Sequence, residues 1–275
     1  MKAPDRYAVF GHPIGHSQSP RIHALFAAAT QQAMTYGAED IPPEGFNDAI
    51  SRFLGSGGRG LNITVPLKEL AFLVADTLSP EAGRSKAVNT LLFSPDGHIH
   101  GDNTDGRGLV RDLTLNLGIP LKGRRILILG AGGAARGILE PLLKLEPAQV
   151  TLANRTTEKA RQLAFEFEDL GPLRALAMAA LQDQQYDLIL NATAASLQGD
   201  VPPLPDQILA AGGCCYDLAY GKEPTPFVLW GLQQGAVLSR DGIGMLVEQA
   251  AEAFWLWRGI RPDTPSVIAT LRGTH

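Results

Sequence analysis

The segment LILGAGGAARG, residues 127–137, restricts the fold of this chain more than any other. A continuous apolar run ends at Gly130, and small residues then lead into a helix-like run. Gly130 allows a tight turn, Gly132 lets the backbone approach a pyrophosphate, and Ala135 lets the helix pack closely on the strand. The helix N-terminus then faces the anion. The segment therefore predicts a strand–turn–helix unit that binds a dinucleotide.

Apolar strand-like runs alternate with helical segments on both sides of this turn. The runs are RRILILG, QVTLANR, YDLILNAT and CCYDLAY. This alternation indicates an α/β fold with a Rossmann-like, doubly wound parallel sheet and helices on both faces. We place the boundary of this dinucleotide-binding domain near residues 102–120 and assign the domain to residues 105–242.

The earlier part of the chain predicts a second α/β unit. RYAVFG and GLNITV are strand-like. SPRIHALFAAAT is helix-like, with Ser19 as the cap and Pro20 at the first position, and PLKELAFLVAD is a helix opened by Pro66. VNTLLFSPDGHIHGDNT is typical of a hairpin that turns at Asp96-Gly97. We expect a substrate-binding domain of residues 1–104, completed by a C-terminal amphipathic helix at about 243–275. Two such units create a cleft, a common place for a ligand.

Composition excludes several classes of protein. The 275 residues carry a net charge of −4, and without a basic block neither a nucleic acid nor an anionic membrane is an expected partner. The sequence shows neither a signal peptide nor an apolar run long enough to span a bilayer. The two cysteines, Cys214 and Cys215, are neighbours and lack metal-binding spacing. We therefore expect a cytoplasmic protein, monomeric or homodimeric, that holds no metal ion.

The histidines do not suggest a metal site either. They are scattered along the chain, and the closest pair, His98 and His100, falls on one face of the predicted hairpin. We interpret that pair as exposed hairpin residues and not as metal ligands.

The residues after the second strand of the dinucleotide unit favour NADP over NAD. An NAD site usually places Asp or Glu there, about 20 residues beyond the glycine turn. This chain instead has Asn154, Arg155 and Thr156, followed by Lys159. Arg155 can hold a 2′-phosphate by charge and stacking, and Thr156 can donate a hydrogen bond to it. We therefore predict NADP (NADPH) as the cofactor.

Short polar side chains collect at the predicted loop ends of the first domain. They lie in GHPIGHSQSP, NITVPLK, KAVNT and GDNTDG, and they supply hydroxyls, amides, one ammonium and one carboxylate. This inventory suits a small polyhydroxylated acid. Together with GAGGAARG, NRT, NAT, YDLAY and DGIGMLVEQA, these motifs resemble the shikimate dehydrogenase family over residues 7 to about 254. The resemblance implies NADP-dependent interconversion of 3-dehydroshikimate and shikimate, a late step of aromatic amino acid (chorismate) biosynthesis.

The resemblance also implies roles for individual residues. Ser17 and Ser19 would bind the substrate carboxylate with help from Tyr220. Ring hydroxyls would be contacted by Thr64, Lys68, Asn89, Asp105 and Gln249. The pyrophosphate would be held by Gly130, Ala131, Gly132, Gly133 and Ala134, and the 2′-phosphate by Asn154, Arg155, Thr156 and Lys159. The nicotinamide half would lie near Thr193, Leu218 and Gly242.

Lys68 and Asp105 are the expected catalytic acid–base pair. Reduction of a ketone needs a hydride and a proton, and a cation beside the developing alkoxide also stabilises its charge. Since Pro66 is predicted to open a helix, Lys68 would lie on its first turn, close to the strand that carries Thr64.

Two segments depart from the family pattern. Lys86 precedes AVNT, where glycine is usual, and the loop after NAT reads NATAASLQGD, with Ala194, Ala195 and Leu197 in a region that is usually rich in serine and glycine. These departures keep open a paralogue with weak shikimate activity or a preference for quinate or a related ring acid. Two further alternatives are less favoured. Retention of both Lys68 and Asp105 argues against a non-catalytic NADP-binding protein, and HSQSP and GDNTDG do not suggest the pterin site of another two-domain NADP enzyme, such as a folate-linked dehydrogenase.

Overall fold

The structure, a computed structural model, describes residues 3–273 and divides them into two compact units. The first unit contains the chain up to Gly108 together with Val247–Thr270. The second contains Leu109–Leu246 and the described residues from Leu271 onward. Residues 1–2 of the predicted substrate domain and residues 274–275 at the end of the predicted C-terminal helix, with His275, lie outside the described part.

The first unit is built on a mixed six-stranded sheet in the order β2-β1-β3-β5-β6-β4. The strands are β1 (Asp5–Gly11), β2 (Met34–Asp40), β3 (Gly58–Ile63), β4 (Thr77–Leu78), β5 (Thr90–Phe93) and β6 (Ile99–Asp102). β1 pairs in parallel with β2 and β3, whereas β5 is antiparallel to β3 and β6. The antiparallel pair β5–β6 is the predicted hairpin.

The helices of the first unit follow or precede these strands. They are α1 (Ser19–Thr30), α2 (Phe46–Gly55), α3 (Lys68–Val74), α4 (Pro80–Ser85) and the start of α5 (Asp105–Arg111). A π-helical turn, Asp112–Asn116, continues α5. The core is formed mainly by apolar side chains of β1, β3 and α2, among them Phe10, Phe46, Phe53 and Leu61.

The second unit has a six-stranded sheet in the order β12-β11-β10-β7-β8-β9, parallel throughout. The strands are β7 (Arg125–Leu129), β8 (Gln149–Asn154), β9 (Leu173–Ala177), β10 (Tyr186–Asn191), β11 (Leu209–Asp217) and β12 (Leu238–Arg240). The helices are α6 (Gly133–Leu143), α7 (Thr157–Glu166) and α8 (Pro226–Gln233). Counted from β7, this is the order 3-2-1-4-5-6 of dinucleotide-binding sheets, which confirms the predicted Rossmann-like fold.

Side chains of β7 show why residues 126–129 of the RRILIL run are all apolar. Ile126 and Ile128 belong to the core on one face of the sheet, and Leu127 and Leu129 to the core on the other. A parallel strand covered on both faces needs apolar residues at every position. The run therefore predicts a central strand correctly.

Three local expectations need correction. The helix after NITVP begins at Lys68 and not at Pro66, because a tight turn closed by a hydrogen bond from the Leu67 backbone N to the Thr64 O comes first. Gln18, and not Ser19, occupies the N-cap position of α1. The single C-terminal helix is two helices, α9 (Ile243–Arg258) and α10 (Pro265–Arg272), separated at Gly259 by a positive φ of 68°.

α9 crosses the division between the units: its first residues belong to the second unit and the remainder to the first. Within the first unit, Trp257 stacks on Tyr7 at 4.7 Å and donates a hydrogen bond to the Leu91 O. These contacts pack the C-terminal part of α9 against the first sheet.

Within residues 3–273, no helix combines the length and apolar character required to cross a membrane.

Candidate active site

The glycine turn of the second unit has the local geometry that its sequence predicts. Gly130 has a φ of 106°, a region that L side chains rarely adopt, and a Cβ there would approach the Ala192 O to 3.0 Å. Ala135 is fully buried in the core, while Gly132, Gly133 and Ala134 are exposed at the start of α6. β7 and β10 are neighbours, so this turn lies at the point where the strand order reverses, where ligands of such sheets bind.

The end of β8 carries the residues expected around a 2′-phosphate. Asn154 ends the strand and donates a hydrogen bond from its Nδ2 to the Thr156 O at 2.9 Å, which fixes the turn into α7. Arg155, Thr156 and Lys159 are exposed on that turn and the first turn of the helix. The set therefore presents two cations and a hydroxyl beside the glycine-turn strand, to which β8 is paired.

The residues expected near the nicotinamide half lie together in the second unit. The Leu218 backbone N donates to the Asn191 O, and Thr193 donates through both N and Oγ1 to the Asn191 Oδ1. A Cβ on Gly242 would lie 2.3 Å from the Leu218 O, so only glycine fits there. Asn191 and Asp217, for which the motifs predicted no role, hold this arrangement together.

In the first unit the structure brings Lys68 and Asp105 into contact. The Lys68 Nζ donates to the Asp105 Oδ2 at 2.5 Å, and the two side chains are 26% and 13% exposed. Lys68 is the first residue of α3 and Asp105 the first of α5. The pair is thus held at two helix starts and remains within reach of a ligand.

Asn89 fixes the other oxygen of Asp105. Its Nδ2 donates to the Asp105 Oδ1 at 2.8 Å and approaches the Gln249 Oε1 at 3.3 Å. Its Oδ1 accepts from the Thr104 backbone N at 2.9 Å, which can only donate, so the orientation of the amide is fixed. Gln249 is anchored through its own backbone O, which accepts from the Thr104 Oγ1.

A buried polar chain connects Asn89 with Ser19. Asn62 donates from Nδ2 to the Asn89 O and to the Thr90 Oγ1, and Thr90 donates to the Asn89 Oδ1. On its other side, the Asn62 Oδ1 accepts from the Tyr36 hydroxyl, which also hydrogen bonds to Ser19. Ser17 accepts from the Ser19 backbone N, and Thr64 directly follows β3. Of the expected substrate residues, all except Tyr220 belong to the first unit: Ser17, Ser19, Thr64, Lys68, Asn89, Asp105 and Gln249.

His23 packs against the polar residues Tyr36 and Asn62. It is completely buried, stacks on Tyr36 at 4.1 Å, and its Nε2 lies 3.2 Å from the Asn62 Oδ1. Burial lowers the pKa of His23 to about 3, so the ring is neutral at pH 7. Neither Asn62 nor His23 was predicted from the sequence to belong to the site. The available signal was a polar residue inside an otherwise buried strand or helix face.

The remaining expected residues fall as follows. Tyr220 belongs to the second unit, where burial raises the pKa of its hydroxyl. Lys86 ends α4 in a left-handed conformation, with a φ of 52°. Glycine adopts this conformation without steric cost, whereas a side chain such as that of Lys86 does not. Within residues 3–273, no three His, Cys, Asp or Glu side chains are grouped so as to hold a metal ion.

The fold and the two sets of residues define an α/β protein with a dinucleotide-binding unit and a polar site centred on an ammonium–carboxylate pair. Family models match most of the chain. The substrate binding domain of shikimate dehydrogenase matches residues 9–91, shikimate / quinate 5-dehydrogenase matches 113–198, and the shikimate 5′-dehydrogenase C-terminal domain matches 242–272.

Individual relatives agree with these matches. The shikimate dehydrogenase (NADP(+)) of Methylococcus capsulatus is 64% identical over 98% of this chain and 97% of its own length. The structure of an Ael1 enzyme from Pseudomonas putida superposes with a TM-score of 0.91 at 49% identity, over 97% of this chain and 98% of that one. The structure of shikimate 5-dehydrogenase from Thermus thermophilus, in complex with NADP(H) and shikimate, has a TM-score of 0.88 at 36% identity. The match covers 98% of this chain and 100% of that chain.

This chain belongs to the shikimate dehydrogenase family. The resemblance found in the sequence motifs is therefore confirmed, as is the α/β fold with a substrate unit and a Rossmann-like unit.

Proposed function

We propose that this protein catalyses the reversible NADPH-dependent reduction of 3-dehydroshikimate to shikimate in aromatic amino acid biosynthesis. The observation that carries the proposal is the Lys68–Asp105 pair at 2.5 Å, held by Asn89 among hydroxyl and amide groups. Relatives that are 51% to 64% identical bear the name shikimate dehydrogenase (NADP(+)), which supports both the substrate and the cofactor.

The second unit would hold NADP. The turn at residues 130–134 offers backbone N–H groups and a helix N-terminus to the pyrophosphate. Arg155 and Lys159, with Asn154 and Thr156, would surround the 2′-phosphate, and no carboxylate stands in the Asn154–Thr156 triplet to repel it. Thr193, Leu218 and Gly242 would contact the nicotinamide half. When bound, NADPH supplies the hydride.

The first unit would hold the ring acid. Ser17 and Ser19 would donate hydrogen bonds to its carboxylate, assisted by Tyr220 of the second unit, while Thr64, Asn89 and Gln249 would contact ring hydroxyls. Asn89 would both contact a ring hydroxyl and orient Asp105, because its amide already contacts Asp105 and Gln249. The closed hydrogen-bond network pre-orients these groups, so little ordering is required on binding.

Lys68 and Asp105 would carry the proton transfer. In the reduction, the Lys68 Nζ–H donates to the oxygen that becomes a hydroxyl, and the ammonium charge stabilises the negative charge that develops there. Asp105 orients the Nζ through their hydrogen bond and is itself fixed by Asn89. In the oxidation, the neutral Lys68 amine takes the proton from the hydroxyl, again oriented by Asp105.

Quinate is the alternative substrate, since the model that matches residues 113–198 is described for shikimate and quinate enzymes. Quinate has one more ring hydroxyl, and residues around Ser17 and Tyr220 would decide between the two acids. The absence of an acidic residue in the Asn154–Thr156 triplet supports NADP with shikimate.

Initial rates of nicotinamide absorbance change test the proposal, with shikimate and quinate each paired with NADP and NAD. Fast turnover with shikimate and NADP alone is the expected result, and Lys86 and the Ala194–Leu197 loop are then tolerated variation. A preference for quinate indicates a specialised paralogue. NADP binding without turnover of either acid contradicts the proposed function.

We also infer two domains: a substrate-binding domain of residues 1–104 completed by the C-terminal helices, and an NADP-binding domain of residues 105–242. We further infer that the protein is cytoplasmic and is a monomer or a homodimer. Limited proteolysis locates the domain boundary, because cleavage is expected where few contacts cross. Size-exclusion chromatography with light scattering gives the oligomeric state.

A further inference from the structure

Asp217 is a buried acidic residue that the proposed acid–base chemistry does not use. It ends β11, it is 0% exposed, and it directly precedes Leu218. Isolated buried carboxylates are costly and usually take up a proton. The hydrogen-bond partners of Asp217 decide whether its carboxylate takes up a proton.

Four neutral groups surround the two carboxylate oxygens. Oδ1 lies 3.0 Å from the Asn191 Nδ2 and 3.1 Å from the Ala219 N, and Oδ2 lies 2.5 Å from the Ser196 Oγ and 2.6 Å from the Thr225 Oγ1. The Ala219 N–H can only donate. The other three partners can be assigned from their own contacts.

All three also donate to Asp217. The Asn191 Oδ1 accepts from the Thr193 backbone N, so the Nδ2 of Asn191 must face Asp217. Thr225 accepts from the Val228 N, which directs its own proton to the carboxylate. Ser196 accepts from Asn191 at 3.3 Å and likewise has its proton free for Asp217.

Four donors select the ionised form of Asp217. A protonated carboxyl would require one hydroxyl, Ser196 or Thr225, to turn from donor to acceptor, whereas the carboxylate accepts from all four groups as they are oriented. Burial raises the pKa of Asp217, and the hydrogen bonds from Ser196, Thr225, Ala219 and Asn191 oppose that rise. The arrangement therefore keeps one negative charge inside the second unit.

This charge lies among the residues assigned to the nicotinamide half. Asp217 is adjacent to Leu218, and it bonds to Asn191, which in turn holds Thr193. Gly242 packs on the Leu218 O, and its N donates to the Ala219 O at 3.0 Å. Asp217 thus positions the three residues expected to contact the nicotinamide.

We propose that Asp217 is an ionised positioning residue which makes the nicotinamide subsite favour the oxidised cofactor over the reduced one, an inference that rests on the proposed function. The oxidised nicotinamide ring is a cation and the reduced ring is neutral, whereas the phosphates are the same in both forms. A fixed negative charge therefore discriminates between the two forms, whereas a purely structural role affects both alike.

The variant Asp217→Asn removes the charge and preserves the shape. Its Oδ1 can still accept from Asn191 and Ala219, while its Nδ2 can donate to the Ser196 and Thr225 hydroxyls, which can both accept. Dissociation constants for NADP⁺ and NADPH are measured by titration calorimetry at one pH and one salt concentration. The readout is the ratio of the NADPH constant to the NADP⁺ constant.

We expect this ratio to fall several-fold, to roughly 10-fold at most, in Asp217→Asn, the order of magnitude for loss of one buried charge near a cation at an effective dielectric constant well above that of a dry interior. Arg155→Ala is the matched control, since it weakens both forms and leaves the ratio unchanged. If Asp217→Asn does not fold, as judged by circular dichroism, Asp217→Ser removes the same charge in a smaller side chain.

An unchanged ratio in a folded neutral variant that still binds cofactor overturns the inference and leaves the proposed function intact. Failure of the wild-type protein to bind either cofactor form contradicts the proposed function itself. The two failures are therefore distinguishable in the same titrations.

Discussion

Replacement of Lys68 by methionine tests the proposed chemistry most directly. Methionine preserves much of the aliphatic side chain and removes the ammonium group that contacts Asp105 at 2.5 Å. General acid–base assistance contributes about 10²- to 10⁴-fold to turnover. We therefore expect kcat to fall at least 10²-fold, which corresponds to about 2.7 kcal/mol or more of activation free energy.

A double-mutant cycle with Asp105→Asn sharpens the test. Since the proposal makes Lys68 and Asp105 one functional pair, the second substitution should cost far less in the absence of the first partner. Steady-state rates with shikimate and NADP give kcat and KM for the four proteins, and calorimetry gives the NADP dissociation constant, which we expect to be little changed. Thermal unfolding confirms that each variant is folded.

Lys122→Met is the matched control. Lys122 also contacts a carboxylate, Glu146, at 2.5 Å, but these side chains are 80% and 70% exposed and belong to the second unit. We expect near-normal turnover from this variant. Near-normal turnover in Lys68→Met would remove Lys68 from the mechanism, and additive effects of the Lys68 and Asp105 substitutions would show that the two residues act separately.

Three further predictions concern the cofactor, the backbone and pH. Arg155→Ala should weaken NADP binding and raise relative activity with NAD, measured as the ratio of kcat/KM values, and an unchanged ratio would refute the phosphate role. Lys86→Gly should be more stable than Lys86→Ala by about 1 kcal/mol in urea unfolding, because only glycine adopts a φ of 52° without steric cost; equal stabilities would contradict this. Burial lowers the pKa of His23 from 6.5 to about 3, so between these pH values the unfolded chain binds a proton that the folded protein does not. The free energy of unfolding should therefore fall with falling pH in this window, by up to about 1.4 kcal/mol per pH unit. His23→Gln should make this dependence on pH weaker. An equally steep dependence in the variant would mean that His23 is protonated in the folded state.

The second unit was largely predictable because its signals are local. The glycine turn requires a positive φ at Gly130, and the apolar run of β7 reflects burial on both faces of the sheet. Both constraints act within a few residues of the chain, so they are visible in the sequence. The strands β9 and β12 were not predicted, because Arg174 interrupts the apolar run of β9 and β12 has only three residues.

The site was predictable only in part. The motifs indicated Lys68, Asp105 and Asn89 by resemblance, but their hydrogen bonds join residues from three separate segments of the chain. Helix starts depended on turns that the pattern does not specify, as the shift from Pro66 to Lys68 shows. In the sequence Lys86 was only a departure from the family pattern, whereas the structure shows a backbone constraint at that position.

The sequence by itself determined the alternation of strands and helices around the dinucleotide turn, the turn itself, the preference for NADP and the family, because each depends on residue types at short spacings. Tertiary structure alone decided which buried polar groups satisfy one another. Asn62 and Asp217 look like isolated polar residues in apolar strands, and their partners lie on other strands and loops. The physical reason is that a buried polar group must find hydrogen-bond partners wherever the fold places them, and that placement is a property of long-range packing.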